Sequence, residues 1–121
     1  MRKYPYKRSV RVADLLHHEI ADIVLHKLKD PRLGFVTITG VDLTNDLRFG
    51  KVYFTDLDDS KIEETLKILT SSKGFIKKEL AGRVKLKFIP DFEFKKDDSI
   101  LYGRKIDKIL AEIKEKEQGD Q

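Results

Sequence analysis

The chain contains no cysteine, which excludes disulfide bridges, thiolate chemistry and sulfur-ligated zinc sites. No apolar run approaches the roughly 18 residues of a membrane span. The basic stretch Met1–Arg8 has no apolar segment behind it, so a secretory signal is not expected and a cytoplasmic protein is. Motifs for covalent or nucleotide chemistry are missing too: there is no Gly-x-Ser-x-Gly, no P-loop and no Gly-x-Gly-x-x-Gly. Serines fall at turns and helix starts, and all 3 histidines lie in the first helical stretch. His18, Asp22 and His26 recur at helical spacing and a metal there is conceivable. His-Glu-x-x-His is absent, however, and a solvated helix face explains the trio better. Asp56, Asp58 and Asp59 are better explained by turn and capping duties than by Mg²⁺. No enzymatic activity, cofactor, metal or small-molecule substrate is expected.

What the chain does have is unevenly placed positive charge. Its 121 residues suit one domain, long enough to bury about two thirds of its unfolded surface. The net charge of +4 is modest. Residues 1–13 nevertheless carry Arg2, Lys3, Lys7, Arg8 and Arg11 with no acid. Residues 73–87 carry Lys73, Lys77, Lys78, Arg83, Lys85 and Lys87 against Glu79 alone. Two concentrated basic segments point to a polyanionic partner, the alternative being lysines that only solvate the surface.

Hydrophobic periodicity sets the element order. A first helix is predicted from an N-cap at Ser9 to about Lys29, with Val12, Leu16, Ile20, Ile23, Val24 and Leu28 as its buried stripe; Asp30-Pro31 ends it. Arg8 and Arg11 sit near its positive end, where they do nothing for the helix dipole and need another reason, such as phosphate contact. Phe35–Leu43 reads as a strand in which a bulge at Gly40 returns Val36, Ile38, Val41 and Leu43 to one face. A short turn, Thr44-Asn45-Asp46, leads into a second strand, Leu47–Leu57, which forms an antiparallel hairpin with the first.

Asp56–Ser60 then caps a helix beginning near Lys61. Ile62, Leu66 and Leu69 recur at helical spacing, and so do Phe75, Ile76 and Leu80. Ser71-Ser72-Lys73-Gly74 breaks the run, since glycine in a helix interior costs roughly 1 kcal/mol. From Val84 the period becomes two: Val84, Leu86, Phe88, Pro90, Phe92 and Phe94 alternate with charge, which reads as a strand at an edge or bulged at Pro90. A last helix is expected over about 100–116, with a frayed tail over 117–121. The result is an α+β domain with helices on one face of a three-stranded sheet. Backbone N–H groups opening the helix after Gly74, with Lys73 and Lys77 beside them, would suit phosphates; the alternative is a plain helix–helix turn.

Several stretches in order resemble the bacterial ribosome-binding factor A family over about residues 8–103. They are Arg11-Val12-Ala13 with Glu19-Ile20, Lys29-Asp30-Pro31-Arg32-Leu33-Gly34, Thr39-Gly40-Val41, Asp46-Leu47, Lys51-Val52-Tyr53, Gly74-Phe75-Ile76, and Ile89-Pro90 with Phe94, Ser99 and Gly103. The resemblance implies a type II KH-like fold, helix-strand-strand-helix-helix-strand, with a C-terminal helix added. KH domains clamp single strands with Gly-x-x-Gly, and no two glycines here are three apart. The family has an Ala-x-Gly kink instead, and this chain carries Ser72-Lys73-Gly74 there, with serine for alanine. The resemblance further implies a non-enzymatic assembly factor. Such a factor binds the small ribosomal subunit and its 16S rRNA late in maturation, assists processing of the RNA 5′ end, and matters most in the cold. A monomer when free is expected, with the basic residues of both segments as RNA contacts. A protein–protein adaptor using the first or last helix is the alternative.

Overall fold

Helix α1 spans Arg8–His26 in a computed structural model of the protein, which describes residues 7–98. Its buried side is Ser9, Val12, Ala13, Leu16, Ile20, Ile23 and Val24, the expected stripe with two small residues added and without Leu28, which lies past the helix end and is partly buried. Ser9 is not the N-cap. It lies three residues before Val12 and seven before Leu16, so helical spacing turns it inward, where its Oγ donates to Asn45 Oδ1 at 3.4 Å. Lys7 occupies the cap position in extended backbone without a side-chain cap. The helix also stops short of Lys29, at Lys27, whose N–H bonds to Ile23 O. Asp30 instead closes the following turn, accepting the Arg32 backbone N–H at 2.9 Å and its guanidinium at 3.0 and 2.7 Å. The Arg32 side chain, with its backbone N–H, holds the Asp30 carboxyl down to about 2.

The sheet orders β1 (Val36–Leu43), β2 (Phe49–Asp56) and β3 (Asp91–Lys96), with β2 in the middle. β1 and β2 run antiparallel, with Ile38 opposite Phe54 and Gly40 opposite Tyr53, leaving Thr39 unpaired. That is the expected bulge, and it brings Val36, Ile38, Val41 and Leu43 to the face shared by Val52 and Phe54. The hairpin turn is longer than predicted, because Leu47 belongs to it rather than to β2. Leu47 takes the left-handed conformation, φ 62°, which a longer hairpin loop needs to reverse direction. Asp46 Oδ1 fastens this loop by accepting the Thr44 hydroxyl at 2.6 Å and the Arg48 N–H at 3.1 Å.

β3 runs parallel to β2, Phe49 opposite Asp91 and Phe54 opposite Lys96, and so lies at an edge as expected. The predicted strand from Val84 is shortened to these six residues. The reason is register. Once Asp91 faces Phe49, the first residue of β2, nothing remains in that strand for residues 84–90 to pair with. Pro90 is buried just ahead of β3 rather than inside it, and Phe88 is exposed rather than apolar-facing.

Between β2 and β3, Asp58 caps a single 3₁₀ turn by accepting the Ser60 N–H and hydroxyl. α2 (Ile62–Ser71) and α3 (Lys73–Arg83) follow. Only Ser72 separates them, at φ −92° and ψ 0°, its N–H shared between Ile68 O and Leu69 O. Gly74 is therefore not the bend: it lies within α3 and no described glycine has a positive φ. Phe75 points outward, since Ile76 and Leu80, both fully buried, define the inner side of α3. Beneath the three helices the core joins Ile20, Ile23, Val52, Phe54, Leu69, Ile76 and Leu80, all without exposed surface. α1 packs on β1 and α3, and α2 on β3, so the helices share one face. This is the α+β arrangement expected. Arg2, Lys3 and the helix expected over about 100–116 lie outside the described residues.

Candidate nucleic-acid interface

Three pieces of chain converge at the end of the sheet that carries the hairpin turn. The Ser9–Asn45 contact pins the start of α1 against that turn. The Asp91 N–H donates to Arg48 O at 2.9 Å, which brings the start of β3 to the same place. Lys73 Nζ donates to Phe92 O at 3.0 Å, and Lys77 Nζ to Asp91 Oδ1 at 3.1 Å, which adds the start of α3. Exposed Lys7 and Arg8 on one side, Arg48 in the turn, and Lys73 and Lys77 on the other side thus share one end of the sheet. Arg48 was not among the expected cations. It lies in a stretch of mixed charge, and only the folded hairpin puts it beside them.

Lys73 and Lys77 share one carboxylate. Asp91 Oδ1 lies 3.4 Å from the first ammonium and 3.1 Å from the second. Lys77, then Lys73, holds the Asp91 carboxyl below its ordinary range. Two ammoniums against one carboxylate leave a surplus positive charge on lysine side chains that are one third exposed. Arg11 and Lys78 are exposed further along α1 and α3, while Lys85 and Lys87 are exposed on the connector between α3 and β3.

Arg83 has a different placement. Its Nη1 lies 3.1 Å from Glu19 Oε2 and 2.6 Å from Asp22 Oδ2, and its Nε lies 3.9 Å from Glu79. Asp22, then Glu19, raises the guanidinium pKa, and Arg83 in turn lowers that of Asp22. This cation joins α3 to α1, and its charge is answered within the fold. Its hydrogen-bond partners Glu19 and Asp22 lie more than sixty residues away in the chain, out of reach of local pattern. The helix start falls at Lys73 rather than after Gly74, and the Ile76 N–H is taken by Ser72 O.

The other candidates resolve into structural duties. Asp22 faces Arg83, with His26 Nε2 3.6 Å from its other oxygen. His17, not His18, meets the sheet, its Nε2 2.7 Å from Ile38 O. Asp56, almost fully buried, accepts the Asp58 N–H at 2.9 Å and the Thr65 hydroxyl at 3.0 Å. Among the described residues no cluster of His, Asp or Glu is arranged to hold a metal. A groove of about 480 Å³ beside β2 mixes apolar Leu43, Phe49 and Phe92 with Asp42, Lys51 and Glu93, and is not a concentrated basic surface. None of the described helices is long and apolar enough to cross a membrane.

Comparison with known proteins agrees with this architecture. The sequence model of the ribosome-binding factor A family matches residues 8–110. Ribosome-binding factor A of Thermodesulfovibrio yellowstonii is 51% identical over 110 residues, covering 91% of this chain and 93% of that one. The Staphylococcus carnosus protein of the same name is 45% identical over 111 residues, covering 91% and 96%. Among solved structures, the crystal structure of ribosome-binding factor A from Thermus thermophilus superposes with a TM-score of 0.66 at 26% identity, covering 73% of this chain and 94% of that one. A homology model of the Thermus thermophilus factor, fitted into an electron cryomicroscopy map of a complex with the 30S subunit, gives 0.65 at 26% identity, covering 74% and 96%. With helices, bulged hairpin and parallel edge strand in place and the match running through all of them, the chain belongs to the ribosome-binding factor A family.

Proposed function

We propose that this protein is a cytoplasmic, non-enzymatic assembly factor that binds the small ribosomal subunit through its 16S rRNA during late maturation. The gathering of exposed cations at the hairpin end of the sheet carries this reading. Lys7, Arg8, Arg11, Lys73, Lys77, Lys78, Lys85 and Lys87 contact phosphates, joined by Arg2 and Lys3, while Arg83 holds α3 against α1. Phosphate contacts set affinity and orientation, and the shape of the immature RNA supplies the selection. A factor that grips one arrangement of RNA helices shifts the population toward it only by its differential affinity. Assistance to 5′-end processing, and a demand that rises in the cold, follow from holding that conformer.

The order helix, strand, strand, helix, helix, strand and the one-sided helix layer support a type II KH-like assignment. In this reading residues 1–121 form one domain, a monomer when free, with a core over about 8–103. Ser72 provides the bend where KH domains have their glycine loop.

Co-sedimentation with immature small subunits tests the proposal. With about 6–10 phosphate contacts, raising salt from about 50 to 200 mM should weaken binding by roughly 10³–10⁵. Binding indifferent to salt, or capture of a partner unaffected by nuclease, would favour the adaptor reading instead. The outward Leu15 and Leu25 of α1 are the surface that reading would use.

A further inference from the structure

The connector between α3 and β3 is held at both ends and pinned in the middle. Val84 is 8% exposed and Pro90 is fully buried, while Leu86 and Ile89 are partly buried against the core. Lys85, Lys87 and Phe88 point outward from this strap, and Phe88 keeps 64% of its surface exposed. Lys87 Nζ sits 5.6 Å from the centre of the Phe88 ring. An ammonium at that distance is drawn to the ring face, and with most of the residue still exposed it leaves room for a second group.

A bare aromatic beside two lysines on a fixed piece of backbone has a specific chemical complement. Every nucleobase offers a flat π-face to the ring, and the backbone on either side of an unpaired base offers phosphates to the ammoniums. Bases inside a duplex are already stacked and cannot reach it. An acidic peptide would answer the lysines and leave the ring in water. We propose that Phe88 is a stacking platform for one unpaired base of single-stranded RNA, with Lys85 and Lys87 on the flanking phosphates. This rests on the RNA-binding reading above and adds to it the strandedness of the target at this position.

The chain has no tryptophan, so Phe88→Trp places a single indole at the site. The probe is a short mixed-sequence RNA, offered either single-stranded or as the matching duplex, with affinities measured over a salt series. Phe88→Ala should weaken single-strand binding by roughly tenfold or more, leaving duplex binding and the salt slope unchanged. Phe88→Trp should keep single-strand affinity, and its fluorescence should be quenched as RNA stacks on it. Lys87→Ala should instead flatten the salt slope by about 0.7. The exposed ring contributes little to folding, so a thermal melt of Phe88→Ala should match the wild type.

The stacking site is refuted if Phe88→Ala binds single strands as the parent does, or if the indole signal stays constant at saturation. Equal weakening toward duplex refutes it as well. Loss of subunit association with oligonucleotide binding intact would assign Phe88 to an apolar protein contact and overturn the proposal. Should the unmodified protein bind neither RNA nor subunits, it is the RNA-binding reading itself that has failed.

Discussion

Asp91→Asn should steepen the salt dependence of RNA binding. In the free protein one carboxylate oxygen holds both Lys77 and Lys73, at 3.1 and 3.4 Å, and any phosphate must compete with it. Asparagine keeps an oxygen where Asp91 Oδ1 accepts the Phe92 N–H at 3.0 Å, so the backbone at the start of β3 should be undisturbed. What the change removes is the negative charge. Each lysine that turns from Asp91 to a phosphate releases counterions, adding about 0.7 to the slope of log K against log salt for single strands or about 0.9 for duplex. Because the trio already carries one surplus positive charge, the change frees one more and predicts a steepening of about 0.7 to 0.9, with tighter binding at low salt. Fluorescence anisotropy of labelled small-subunit RNA over a salt series reads this directly. Adding Lys73→Ala and Lys77→Ala to the same variant should abolish the gain. If Asp91→Asn leaves the slope unchanged, these lysines do not meet phosphate. If it weakens binding, the carboxylate is positioning them rather than competing, and the reasoning is wrong.

Gly74→Ala should raise stability by up to about 1 kcal/mol, since the glycine is helical and a methyl there meets nothing within 4 Å; a destabilised variant in denaturant titration would contradict this. Thr55→Val should also stabilise, by about 1 kcal/mol, because among the described residues the buried Thr55 hydroxyl on β2 has no hydrogen-bond partner. Arg83→Met should lower the melting temperature in a pH-dependent way. The Asp22 carboxyl, lowered in the fold chiefly by Arg83, adds stability above its unfolded value near about 4, and loses it as the pH falls through the folded one. The melting temperatures of wild type and variant should thus differ most above the unfolded carboxyl pKa of about 4 and draw together as the pH falls below it.

Local periodicity made much of the fold legible. The α1 stripe, the helical faces of α2 and α3 apart from Phe75, and the bulge near Gly40 are each written in residues only a few positions apart. Some failures are local, as with the bend at Ser72 and the turn at Leu47, and others arise because the deciding partner is remote. Alternation from Val84 to Phe94 is a sound strand signal, but where pairing starts depends on Phe49, some forty residues earlier. Ser9 has the chemistry of a cap, yet helical spacing puts it on the inner side of α1, where it meets Asn45 of the hairpin turn. Arg83 looks like its basic neighbours until Glu19 and Asp22 arrive from α1. Conversely, nothing in the pattern singles out Phe88, because the ring would be core in a strand and becomes surface in a strap.

Thr39, the residue with no partner across the hairpin, has a consequence for how the gene can change length. Most single-codon losses inside a strand reverse the facing of everything downstream and expel half its oily side chains into water. Here the surplus residue already absorbs one reversal, so excising it would leave Val36, Ile38, Val41 and Leu43 in plain alternation, all inward. The cost would be its hydrogen bond to Asp97, which fastens the first strand to the chain leaving the last. The bulge at Thr39-Gly40 is therefore where β1 can survive the loss of one residue, and evolution of a shorter relative would be expected to pass through it.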